Sequence, residues 1–101
     1  MDNLIDFVKE EHKRLMGYYS FKEKKDIIYP MTLKLMEELG ELSEAILHSH
    51  SLQRKEKLKK STKLGEEFVD VLLTTLLLAE NFDLDIRQEL KKKIKKIKKR
   101  K

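Results

Sequence analysis

Apolar side chains recur at helical spacing along most of the chain, and no stretch alternates with period two for long. Leu4, Val8 and Leu15 share one face of a first segment, with Ile5 beside them. This predicts a helix from about Asn3 to Met16, with Gly17 as its stop. Tyr18-Tyr19-Ser20-Phe21 and the charged patch Lys22–Asp26 read as a connector, with room for a short helix around Phe21–Ile28. A second helix is predicted from Tyr29 or Pro30 to Leu47, because proline suits a first helical turn. Its Leu35, Leu39, Leu42 and Ile46 fall at i, i+4, i+7 and i+11 and make one apolar stripe. His48-Ser49-His50-Ser51 and the charged run to Lys60 form a polar connector. Ser61 or Thr62 can cap a third helix from Lys63 to Asn81. The second half of that helix, from Val69 to Leu78, is apolar nearly all round, the pattern of a helix buried on several sides. Asp85 and Gln88 resemble a capping box that opens a fourth helix. Its Ile86, Leu90, Ile94 and Ile97 lie at i, i+4, i+8 and i+11. The expected fold is all-α and of four-helix-bundle type. A chain this short does not cover a buried third helix alone, so a homodimer or homotetramer is expected.

At 101 residues the chain allows one domain, spanning 1–101, with residues 91–101 as the basic end of the last helix, free to fray. Zero Cys excludes a disulfide scaffold, a zinc finger and thiol catalysis, and fits a reducing, cytoplasmic compartment. Met1–Phe7 lacks the basic start of a secretion signal. Val71–Ala79 is too short to cross a bilayer, so no membrane partner is expected. The net charge of +5 conceals an asymmetry. Residues 91–101 hold nine basic side chains and no acidic one, which leaves 14 basic against 18 acidic in residues 1–90, a balance of −4. Such a tail serves either a nucleic-acid contact or the solvated end of a helix whose dipole favours cations.

The acids fall beside the apolar stripes. Glu38 and Glu41 are three apart, so their Cβ atoms stand about 5–6 Å apart on one side of the second helix. They border the Leu35/Leu39/Leu42 stripe, and Glu67 and Asp70 repeat the geometry beside Phe68 and Val71. If the two helices pack antiparallel, four carboxylates converge at the edge of an apolar seam. Repulsion and desolvation penalise such a group, and a divalent cation offsets both. All-oxygen ligation favours Mg²⁺, with Mn²⁺ as a substitute, over zinc. Mg²⁺ commonly bridges to substrate phosphates, which points to phosphoryl or nucleotidyl hydrolysis. Spacing alone leaves a solvated acidic face equally open. A di-iron bundle site would need Glu-x-x-His on two helices, and no histidine here has a Glu three positions before it.

Lys34-Leu35-Met36-Glu37-Glu38-Leu39-Gly40-Glu41-Leu42-Ser43-Glu44-Ala45, followed by Glu66-Glu67-Phe68-Val69-Asp70-Val71-Leu72, resembles the MazG-like all-α nucleoside triphosphate pyrophosphohydrolases. Their signature is Glu-x-x-Glu on one helix and Glu-x-x-Asp on the next, after a variable connector. The likeness spans roughly residues 30–93 and includes Asp83-Leu84-Asp85 before the last helix. It implies a MazG-like four-helix fold that assembles into dimers or dimers of dimers. It also implies Mg²⁺-dependent conversion of an NTP or dNTP to the monophosphate and pyrophosphate. Glu38, Glu41, Glu67 and Asp70 would then be the catalytic residues and metal ligands. Many members continue with Lys, then Asn four positions later, then Arg. Lys93 and Arg100 match, but Ile97 stands where the Asn is expected, a departure at the phosphate or sugar contact of the last helix. On this reading water attacks at the α–β phosphate linkage, oriented or deprotonated by Glu38 or Glu41. Lys34, one turn before Glu38, and Lys93 are the candidates to pair with phosphate oxygens. A phosphoribosyl-ATP pyrophosphohydrolase is a related class, and the Gly40 context favours the broader nucleotide class.

His12, His48 and His50 have no recognisable partner and read as surface or connector side chains. Tyr18, Tyr19, Phe21 and Tyr29 cluster in a chain poor in aromatics, as base-stacking groups or as closure of the core. Two other function classes stay in play. One is a nucleic-acid-binding protein that uses the basic tail, with steep salt dependence. The other is a non-catalytic helical assembly.

Overall fold

The computed structural model describes residues 2–18, 23, 25–49 and 54–100, with side chains throughout except those of residue 2 and residues 54–62. Among these residues the chain is wholly helical: α1 (Asp2–Tyr18), α2 (Lys25–Ser49), α3 (Arg54–Ala79), a 3₁₀ turn (Glu80–Phe82) and α4 (Ile86–Lys99). Tyr19, Phe21, His50 and the last residue of the basic tail lie outside the described residues.

The boundaries differ from the pattern where a local signal outweighs it. α1 runs through Gly17 to Tyr18. α2 starts at Lys25, ahead of the predicted Tyr29 or Pro30. The charged patch supplies the start: the Glu23 backbone N–H donates to the Asp26 carboxylate at 3.3 Å, and the Asp26 N–H donates to the Glu23 carbonyl at 3.1 Å. That is the returning half of a capping box. Pro30 therefore sits inside the helix and removes only the bond to the Asp26 carbonyl. α3 starts at Arg54, so Ser61 and Thr62 lie within it rather than at its start, and the polar connector ends before Arg54 rather than at Lys60. The run from Arg54 to Lys60 lacks an apolar stripe, but Lys, Glu and Leu are strong helix formers. α4 opens as predicted, with the Asp85 side chain accepting the Gln88 backbone N–H at 3.1 Å. Asp83, at φ 55°, turns the chain between the 3₁₀ turn and α4 in the left-handed region that aspartate tolerates.

α3 is the central element. α2 packs along it, and α1 meets its C-terminal part and the 3₁₀ turn. Among the described residues the buried apolar side chains are Ile5 and Val8 of α1, Ile27 of α2 and Leu76 of α3. Polar residues occupy the same stripes. In α2 the inward residues follow a 3–4 spacing through Ile28, Met31, Leu35, Glu38, Leu42 and Ala45. In α3 and the 3₁₀ turn that continues it they follow it through Leu64, Glu67, Val71, Thr74, Leu78 and Asn81, so the positions seven apart at Glu67, Thr74 and Asn81 are polar and buried. In α1, His12 follows Ile5 and Val8 inward.

His12 is thus a core residue, not the surface side chain the pattern suggested. Its Nε2 meets Asn81 Oδ1 at 2.8 Å, and Asn81 Nδ2 donates to the carbonyls of Leu77 and Leu78 at 3.2 and 3.1 Å. Because Asn81 Oδ1 only accepts, His12 Nε2 carries the proton. Asn81→Ala strands a buried imidazole donor, so we expect a loss of about 1–3 kcal/mol of stability. Urea unfolding at pH 7 measures it, and a variant as stable as the parent would contradict this role for the pair.

α4 packs sparsely on the other helices, and its residues from Gln88 onward are exposed. The radius of gyration is 16.6 Å, against about 13 Å for a compact domain of this length. Phe68 (53%), Val69 (50%) and Leu72 (49%) of α3 are half-exposed in the single chain. Among the described residues no helix is long and apolar enough to cross a membrane.

Candidate metal centre

α2 and α3 run antiparallel with a readable register. Met31 and Pro30 share a cavity with Thr74 and Leu77, while Glu41, Glu44 and His48 share another with Lys63 and Glu67. Between these two meeting points Glu38 comes level with the Glu67–Asp70 turn, and the Asp70 charge acts on it.

Glu38 and Glu67 are 6% and 5% exposed, the two buried carboxylates of the seam. They lie within the apolar stripes, where the sequence pattern had put them at the border. Glu41 and Asp70, three positions further along each helix, are exposed. Each helix therefore offers one acid inside the seam and one at its rim. Glu37, Glu38 and Glu41 bring one oxygen each to within 4.8 Å of one another. Glu37 was not among the residues singled out from spacing; its signal is the plain Glu-Glu doublet. Glu67 and Asp70 stand outside that trio, across the helix interface.

The charges of the group are only partly compensated, by Lys34 at its rim. Burial raises the Glu38 pKa above the ordinary carboxylate value, and the charges of Glu41 and Asp70 add to this while Lys34 opposes it. The closeness of the Glu41 side chain, a hydrogen-bonding neighbour, contributes in the same upward direction. Glu67 Oε2 is buried and has no hydrogen-bond partner among the described residues. A buried oxygen without a donor is rare and costs its full desolvation. A hard divalent cation fits this donor set, because all-carboxylate oxygens are its preferred ligands and its charge removes the repulsion.

The two predicted phosphate-binding lysines are placed differently. Lys34 forms an ion pair with Glu37 at 3.3 Å, and that bond, with the charges of Glu38 and Glu37, raises its pKa. Lys93 is exposed on α4. Tyr18 and Tyr29 are both exposed. Spacing missed Glu44, His48 and Lys63, which line a cavity with Glu41 and Glu67. A helical-face signal for them existed: Glu41, Glu44 and His48 are three and four apart, and Lys63 precedes Glu67 by four.

Comparison with known proteins gives one family. The model of the MazG nucleotide pyrophosphohydrolase domain matches residues 29–101, which takes in nearly all of α2 and the whole of α3 and α4 and leaves α1 outside. No curated protein and no solved structure matches the chain.

Proposed function

Because the chain belongs to the MazG nucleotide pyrophosphohydrolase family, we propose that it converts an NTP or dNTP to the monophosphate and pyrophosphate with Mg²⁺, for which Mn²⁺ can substitute. The observation that carries this reading is a pair of glutamates buried at core positions of one helix seam, Glu38 and Glu67, the second with Oε2 unpartnered among the described residues.

Glu38, Glu41, Glu67 and Asp70 would hold the cation. When bound, it supplies neutralisation of phosphate charge and makes water more acidic. Glu38 or Glu41 accepts the proton of the water that attacks at the α–β linkage. The new O–P bond forms, the bridging bond breaks, and pyrophosphate leaves. Lys34 stands at the rim of the Glu37–Glu38–Glu41 trio, where a phosphate oxygen would meet its ammonium. Lys93 contributes only in an assembly that carries α4 to a seam. Ile97, in place of the family Asn, makes a polar contact from that position impossible. A second copy packed over Phe68, Val69 and Leu72 would bury α3 on the side this chain leaves open. A cytoplasmic setting suits a chain with no Cys.

The test is pyrophosphate release from a panel of NTPs and dNTPs with Mg²⁺ and with EDTA. We expect release from at least one nucleotide and none with EDTA. Release that persists in EDTA, or an inert panel, would contradict the proposal.

A further inference from the structure

Two nitrogen-bearing side chains, Lys63 and His48, border the acidic seam. The cavity of about 120 Å³ toward the C-terminal end of α2 is lined by Glu41, Glu44, Ala45, His48, Lys63 and Glu67. Lys63 forms no ion pair within 4.0 Å among the described residues, although Glu66 and Glu67 lie one turn further along its helix. Lys34, by contrast, is engaged with Glu37. Glu67, nine-tenths buried and with Oε2 unpartnered, forms part of the same wall. On the other side of Glu38 lies a cavity of about 350 Å³ lined by Leu15, Ile27, Pro30, Met31, Thr74 and Leu77, with Lys34 at its edge. A polyphosphate entering that apolar space would lose hydration with only Lys34, already paired with Glu37, to replace it.

We propose that the cavity between Glu44–His48 and Lys63–Glu67 receives the β- and γ-phosphates of the substrate, with the Lys63 ammonium and the His48 imidazole as their direct contacts. This rests on the nucleotide reading above and deepens it, because it sets the direction of the substrate: phosphate tail toward the C-terminal end of α2, nucleoside toward its N-terminal end. The acids of the same wall repel bare phosphate, so occupancy requires the divalent cation together with these two side chains.

Inorganic pyrophosphate is the probe, titrated by calorimetry into the full chain with Mn²⁺ present. The parent binds it. Lys63→Gln and His48→Gln each weaken that binding about tenfold or more, the effect of losing one hydrogen bond to a charged group. Lys63→Arg keeps most of the affinity. Mn²⁺ affinity without pyrophosphate, read by electron paramagnetic resonance, stays within about twofold in all three variants, which separates phosphate contact from metal ligation and from misfolding. Equal pyrophosphate affinity in parent and variants, a parent that binds none, or Mn²⁺ affinity lost with Lys63 would each overturn the proposal. Failure of the broader reading is a different result. A parent that binds Mn²⁺ and pyrophosphate through Lys63 yet cleaves no nucleotide retains the subsite and removes the reaction.

Discussion

Glu67→Gln is expected to lower kcat/KM for Mg²⁺-dependent pyrophosphate release by at least about 100-fold, the upper range seen when even an outer partner of a metal site is removed. The substitution keeps the shape of the side chain and exchanges a buried, unpartnered carboxylate oxygen for a neutral amide. Removing a buried charge that lacks a partner does not unfold a helix seam and often stabilises it. The variant should therefore melt at or above the temperature of the metal-free parent while losing its activity. Activity assays run beside circular-dichroism melts give both readings. Wild-type turnover in a folded Glu67→Gln protein would remove Glu67 from the site.

Glu38→Gln should be more stable than the parent without metal and less stable than the parent with it. Burial first, then Glu41 and Asp70, hold the Glu38 pKa above its ordinary 4.5. A carboxyl raised in this way stabilises the fold while protonated. Its contribution is fully present below the unfolded-state value and is lost as pH rises through the folded-state one. At pH 7 in EDTA the parent carries that loss and the glutamine variant does not, so the variant should melt a few degrees higher. With Mn²⁺ at about 100 times its Kd the parent gains roughly 2.7 kcal/mol by mass action. The variant lacks a ligand and gains little. Melting curves at pH 7 with EDTA and with Mn²⁺ test this. If the parent melts higher in both conditions, Glu38 is not the strained member of a cation site. Because ligation needs the deprotonated carboxylate, the Mn²⁺-induced shift in the parent should also shrink as pH falls toward 4.5.

Helical class and the run of the last helix were legible because they rest on local chemistry. Lys, Leu and Glu dominate the chain, and Asp85 with Gln88 marks the start of α4 within four residues. The start of α3 was not legible. The Arg54–Lys60 run has helix formers without an apolar stripe, so a search for periodicity passes over it. His12 shows the same limit. A polar residue seven positions after Ile5 breaks an apolar count, and its partner Asn81 is 69 residues away. The acids were found by their i, i+3 spacing, but their depth was not. Spacing fixes a face to within a residue, while the apolar stripe turned out to run through Glu38 and Glu67 instead of past them. Lys63 and His48 reach a common cavity with Glu41 and Glu67 only through the packing of α2 on α3, which spacing within one helix does not show.

The most direct measurement is an anomalous-scattering map from crystals grown with Mn²⁺. A single strong peak bonded to Glu38 and Glu41 from α2 and to Glu67 and Asp70 from α3 is the predicted result. Density confined to exposed acids such as Glu37, with Glu67 Oε2 still facing no ion, would contradict it.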